Sequence, residues 1–108
     1  MVAPEAVTKI RIPSEELREF STRWRITEIS LFGSVLRDDF GPESDVDVLV
    51  AFADDANWSA FDHFRMEREL SALLGRRAEI VTRRALDEGG NWIIRKSILD
   101  SAQRLDVA

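Results

Sequence analysis

The sequence predicts an α/β fold, a small mixed β-sheet flanked by helices, and three observations carry that prediction. Val46–Phe52 (VDVLVAF) is apolar on both parities, the pattern of a strand covered on both faces. Ser59–Leu74 places Met66, Leu70, Leu73 and Leu74 on one helical stripe. Strand-like and helix-like segments also interleave, in the order helix, strand, strand, helix, strand, helix, which is an α/β pattern.

Taken in order, residues 1–12 show no convincing period, and residues 1–13 are expected to form a flexible N-terminal arm before a single domain over 14–108. Pro13-Ser14-Glu15-Glu16 reads as a helix start, with Ser14 able to cap and two acids in the electropositive first turn. Leu17, Phe20 and Trp24 give that helix an apolar face. Ile26–Phe32 alternates like a strand and ends at Gly33-Ser34. Residues 35–44 (VLRDDFGPES) contain Gly41-Pro42 and must turn. After Val46–Phe52, Asp54-Asp55-Ala56-Asn57 breaks the strand. Ser59–Leu74 follows as a helix, with Phe61 and Phe64 beside its stripe and Gly75 as its stop. Ala78–Val81 is a third short strand. Gly89-Gly90 breaks the chain again, and Trp92, Ile93, Leu99 and Leu105 suggest a closing helix from about Asn91 to Arg104.

Composition excludes several functions. Fifteen Lys and Arg against twenty Asp and Glu give a net charge of -5. A protein that coats nucleic acid needs a basic surface, so no direct nucleic-acid binding is expected. Cysteine is absent and there is one histidine, which removes disulfides, thiolate metal sites, a Cys nucleophile and a His-pair metal site. No apolar run approaches the roughly eighteen residues of a membrane span, and the N-terminus lacks the pattern of a signal peptide. A cytoplasmic protein without membrane association is expected.

The feature that carries chemistry is Gly33-Ser34, ten residues, then Asp45-Val46-Asp47. Side chains two apart on a strand project from one face, so Asp45 and Asp47 point the same way. Two carboxylates there could hold two divalent cations about 3.5–4 Å apart, as in two-metal phosphoryl chemistry. Oxygen-only ligands suit Mg2+ or Mn2+. Gly33 lets the backbone approach a phosphate, and a short helix from Val35 would aim its free N–H groups and the Ser34 hydroxyl at a triphosphate tail. Glu79, which interrupts an apolar strand, is the candidate third acid; its plainer reading is a strand-edge residue facing water. Alone, an Asp-x-Asp at a strand entrance is more often a turn cap than a metal site. Joined to Gly-Ser at this spacing, it favours the catalytic reading.

The segment LFGSVLRDDFGPESDVDVLVAF (residues 31–52) resembles the signature of the polymerase-beta-like nucleotidyltransferases, in particular their minimal nucleotidyltransferase (MNT) domains. The likeness continues through LLGRRAEIVTRRAL (residues 73–86). It implies the polymerase-beta-like fold, ATP as substrate, triphosphate binding at Gly33 and Ser34, and two Mg2+ ions at Asp45, Asp47 and Glu79. Two departures stand out. The third acid is Glu where the family usually has Asp, and Val35 follows Gly-Ser where many members have Arg, although Arg37 keeps a second basic position on the nucleotide side. At this length no appended acceptor-binding domain is expected. Stand-alone MNT proteins of this kind resemble the antitoxins of HEPN–MNT pairs. That implies AMP transfer onto a tyrosine of a HEPN-domain toxin, in a hetero-oligomer with it or as a homodimer. Two alternatives are an antitoxin that acts by binding alone and a small-molecule nucleotidyltransferase of aminoglycoside type.

Other residues invite weaker readings. His63 is expected at the core edge. Arg76-Arg77 and Arg83-Arg84 bracket the Glu79 strand, either as a solvated rim or as groups that steer phosphates. Trp24, Trp58 and Trp92 are expected in or beside the core, and any of them found exposed would mark a docking surface.

Overall fold

The computed structural model describes residues 12–36, 41 and 44–105. The chain runs through α1 (Ser14–Arg23), β1 (Ile26–Phe32), a 3-10 turn (Gly33–Leu36) and β2 (Val46–Phe52). It continues through α2 (Ala60–Leu74), β3 (Ala78–Thr82), α3 (Arg83–Glu88), α4 (Trp92–Ser101) and β4 (Gln103–Leu105). The strands form one mixed sheet in the order β3-β2-β1-β4. β1 is antiparallel to both β2 and β4, and β2 is parallel to β3. Parallel neighbours need a crossover, and α2 supplies it.

One face of the sheet carries the core. Ile29 and Leu31 of β1 lie opposite Val50 and Val48 of β2, while Val46 and Val48 lie beside Ala78 and Ile80 of β3. All are buried against Leu17 and Phe20 of α1 and Met66, Leu70 and Leu74 of α2. The opposite face carries the other parity, including Ser30, Phe32, Asp47, Leu49, Glu79 and Val81. Part of it is covered: Leu99 and Ala102 share a small cavity of about 170 Å³ with Leu49 and Ala51. Leu49 is therefore buried as well, which explains the two-parity apolar pattern of β2.

α2 begins with a reciprocal capping box. The Ser59 hydroxyl accepts from Asp62 N–H at 3.2 Å, and Asp62 Oδ2 accepts from Ser59 N–H at 2.9 Å. Gly75 ends the helix in the left-handed region at φ +68°.

Three expectations require correction, on Ser14, the closing helix and Trp92, and the structure settles two placements that the sequence left open. Ser14 is not the cap of α1, because the Pro13 carbonyl accepts from Leu17 N–H at 2.9 Å and takes Ser14 into the first turn. Residues 83–88 form a helix, capped by Thr82, whose hydroxyl accepts from Ala85 N–H. The closing helix stops at Ser101, and Gln103–Leu105 pairs with β1 as a strand that buries Leu105. Phe61 and Phe64 face solvent, because Met66, Leu70 and Leu74 already fill the buried side of α2. Trp92 is 69% exposed, while Trp24 and Trp58 hold their expected core-edge places in a T-shaped contact with centroids 5.0 Å apart. The arm expected over 1–13 falls outside the described residues except for Ile12 and Pro13, and Ile12 packs on the core. Among the described residues, no helix is long and apolar enough to cross a membrane.

Two stability predictions follow from this packing. Leu70→Ala should cost about 2–5 kcal/mol in urea unfolding, because it empties a fully buried site between α2 and the sheet. The Ser59 N–H, and then its hydroxyl, hold the Asp62 carboxyl below the usual carboxylate range. A depressed folded value means the stabilisation is present above the unfolded pKa and is lost as pH falls through the folded one. The destabilisation caused by Asp62→Ala should therefore be largest near neutral pH and shrink in acid, measured by urea unfolding at both.

Candidate active site

The register of β1 and β2 assembles the site. Phe32 is the last residue of β1 and lies opposite Asp47. Gly33 therefore leaves the sheet where the Asp47 carboxylate rises from β2. Gly33 adopts φ +76°, a left-handed conformation that costs other residues about 1–2 kcal/mol. A Cβ at this position would collide with Asp47 Oδ2 and sit 3.2 Å from its Cγ. Both constraints demand glycine, and together they make the Gly-Ser turn and the Asp-x-Asp strand parts of one feature.

On the other side of β2, Glu79 of β3 is the register partner of Asp47. Partners on neighbouring strands project from the same face, so the two carboxylates share the side of the sheet away from the core. Asp47 is half-buried and Glu79 exposed. Asp45 is half-buried just before β2 begins, with Arg77 Nε 3.9 Å from its Oδ2. Among the described residues, no three acidic, His or Cys side chains already stand together as a metal cage. Ser34 lies in the 3-10 turn, directly after Gly33. Arg37 lies outside the described residues.

Arg76, together with Ser44, Glu67 and Ser71, which the sequence analysis did not single out, fixes this end of the sheet. Arg76 Nη2 donates to the carbonyls of Gly41 and Ser44, the latter at 3.0 Å, and Ser44 Oγ accepts from Gly41 N–H at 3.1 Å. Val46 N–H donates to the Arg77 carbonyl at 2.9 Å. The entry to β2 is thus tied to the start of β3. The edge of β3 is held from α2: Ala78 N–H donates to Ser71 Oγ at 2.9 Å, and Ile80 N–H to Glu67 Oε2 at 2.7 Å. The usable signal was polar residues at i and i+4 on a helix flanking a sheet edge.

The two arginine pairs separate in space. Arg76 and Arg77 lie at the acid end, one tying the loop and the other exposed beside Asp45. Arg83 and Arg84 lie beyond the far end of β3 and pair with Asp87 and Glu88 on their own helix. His63 is a core-edge residue, as expected, with Nε2 3.5 Å from Glu67 Oε2. A cavity of about 610 Å³ opens at that far end between Phe52, Trp58, His63, Met66 and Arg83, and none of the site acids lines it.

Fold and site together define a nucleotidyltransferase of the polymerase-beta-like class. The chain belongs to the nucleotidyltransferase domain family, matched over residues 14–105. The protein adenylyltransferase MntA of Thermococcus cleftensis is 39% identical to it over 75 residues, which span 69% of this chain and 71% of that protein. A solved structure named for a minimal nucleotidyltransferase shares 33% identity and a TM-score of 0.64, with 85% of this chain and 88% of that one covered. A chain in the solved complex of a tri-AMPylated Shewanella oneidensis HEPN toxin with an MNT antitoxin has the same fold. It shares 15% identity and a TM-score of 0.58, with 84% and 66% covered.

If Gly33 is constrained by Asp47 as well as by its own dihedral, the two positions are coupled energetically. Gly33→Ala should destabilise the protein, and more so in the native background than in Asp47→Ala, where only the dihedral strain remains. Equal losses in both backgrounds, measured by urea unfolding, would show that the carboxylate does not press on Gly33.

Proposed function

We propose that this protein is a Mg2+-dependent adenylyltransferase of the cytoplasm that moves AMP from ATP to a hydroxyl, a tyrosine of a HEPN-domain toxin, and so acts as its antitoxin. The observation that carries this reading is Gly33 packed against the Asp47 carboxylate with Glu79 beside it in register. Two further facts support it: the adenylyltransferase MntA among the relatives, and an AMPylated HEPN toxin bound to an antitoxin in a complex that contains this fold.

The residues present suit the metal. Every side-chain donor is a carboxylate oxygen, the set that a hard divalent cation prefers. The space that a Cβ at Gly33 would fill borders that donor set. Asp45, Asp47 and Glu79 would hold two Mg2+ ions. When bound, these ions supply neutralisation of charge on the entering and leaving oxygens.

The chain's own work is positioning. Backbone N–H groups at Gly33 and Ser34 receive the distal phosphates, aided by the Ser34 hydroxyl and by Arg37. The acceptor oxygen forms its bond to the α-phosphorus as the bond to the bridging oxygen breaks and pyrophosphate leaves. Glu79, exposed to the incoming hydroxyl, accepts its proton. With nucleophile and phosphate held in line, orientation removes much of the barrier.

The Asp45→Asn, Asp47→Asn double variant should lose transfer of labelled AMP to a co-purified HEPN partner by about 10³-fold or more, with its thermal melt retained. Wild-type transfer by that variant would end the proposal. Full protection of cells by a transfer-dead variant would place the antitoxin effect in binding alone.

A further inference from the structure

We propose that Glu67 and Ser71 of α2 are positioning residues for Glu79, holding the edge strand on either side of it through backbone hydrogen bonds. The inference rests on the assignment of Glu79 as the third acid of the site. It adds two residues that do not touch substrate.

β3 is an edge strand, paired only with β2 among the described strands. Its Ala78 and Ile80 N–H groups turn outward, where an edge normally meets water or another chain. Here both are taken by one helix. Ser71 Oγ accepts from Ala78 at 2.9 Å, and Glu67 Oε2 accepts from Ile80 at 2.7 Å. The two acceptors stand one helical turn apart on α2, and the two donors flank Glu79. Ser71 Oγ in turn donates to the Glu67 carbonyl at 2.7 Å, and His63 Nε2 lies 3.5 Å from the accepting carboxylate oxygen. A hydrogen bond to a carboxylate is stronger and shorter than one between neutral groups.

Glu79 itself has no side-chain hydrogen bond or ion pair among the described residues. Its placement is therefore set by its strand, which β2 holds along one edge and the two bonds from α2 hold along the other. Water could satisfy the same donors without fixing the strand. The helix acceptors fix it because α2 is anchored through the fully buried Met66 and Leu70. Partners behind metal-ligating groups commonly contribute about ten- to a hundredfold in metal affinity or activity.

The test uses the full chain with variants E67A, E67Q, S71A and E79Q, and E67A/E79Q. Mn2+ binding is measured without nucleotide, amide exchange at Ala78 and Ile80 by NMR, and AMP transfer to the HEPN partner. E67A should speed exchange at Ile80, and S71A at Ala78. Each should weaken Mn2+ binding and slow transfer about ten- to a hundredfold, with the KM for ATP little changed. E67Q keeps an acceptor and should recover most of both. In the E79Q background, E67A should add nothing further to the Mn2+ loss. An additive loss, or wild-type Mn2+ affinity in E67A and S71A, would overturn the inference. Should E67A fail to fold, S71A and E67Q decide it by the same readouts. If the wild-type chain transfers no AMP, the function proposal fails, while Mn2+ binding and its dependence on Glu79 still judge the positioning role.

Discussion

The antiparallel pairing of β1 with β2 is the constraint on which the site depends. It ends with Phe32 opposite Asp47, so the chain turns out of the sheet beside a rising carboxylate. Burial locks this register. Slipping β2 by one residue would move Val46, Val48 and Val50 out of the core and drive Asp47 into it. An unpaired carboxylate there would cost far more than the lost apolar contacts. Because the register cannot slip, the position after Phe32 cannot carry a side chain, and the Gly-Ser turn is pinned to the acid pair across ten intervening residues.

The parts that the sequence made legible are those where a local pattern coincides with a tertiary need. β2 reads as buried on both faces because helices α1 and α2 cover one side and Leu99 and Ala102 lie over the other. α2 reads as a helix from Ser59 to Gly75 because stripe, cap and stop agree. The place of Asp47 on the sheet follows from alternation within β2, while Asp45 lies just before that strand begins. Less was visible where tertiary context decided. Arg83–Glu88 has no apolar stripe and is a helix through the Thr82 cap. Gln103–Leu105 is too short to show a period and is a strand because β1 offers an open edge. Trp92 and Phe61 look like core residues by type, yet their helices present other faces to the sheet. That Asp47 and Glu79 are neighbours needs the β2–β3 register, which no spacing along the chain reveals.

The two faces of the sheet divide the work. The helix-covered face supplies stability through close-packed aliphatic side chains, and the other carries the acids on strands whose backbones that core immobilises. The polar groups of α2 and the guanidinium of Arg76 extend this rigidity to the edge. Arg76 ties the loop before β2, and Ser71 and Glu67 tie the outer side of β3. The same bonds blunt a sheet edge that would otherwise invite pairing with another chain.

Charge placement distinguishes the acid end from the cavity at the far end more sharply than shape does. Around that cavity Arg83 and Arg84 each meet an acid four residues on, an arrangement that a short exposed helix makes by itself and that is worth little. At the acid end, Asp47 and Glu79 are like charges in register on neighbouring strands, an arrangement that weakens a sheet. Glu79 gives the strand nothing in return: it has no side-chain hydrogen bond or ion pair among the described residues, and an apolar or basic residue there would suit β3 better. Local rules broken without a structural return mark the places where function is carried. On the proposed reading, the return is a divalent cation, which turns adjacent carboxylates from a cost into a binding site.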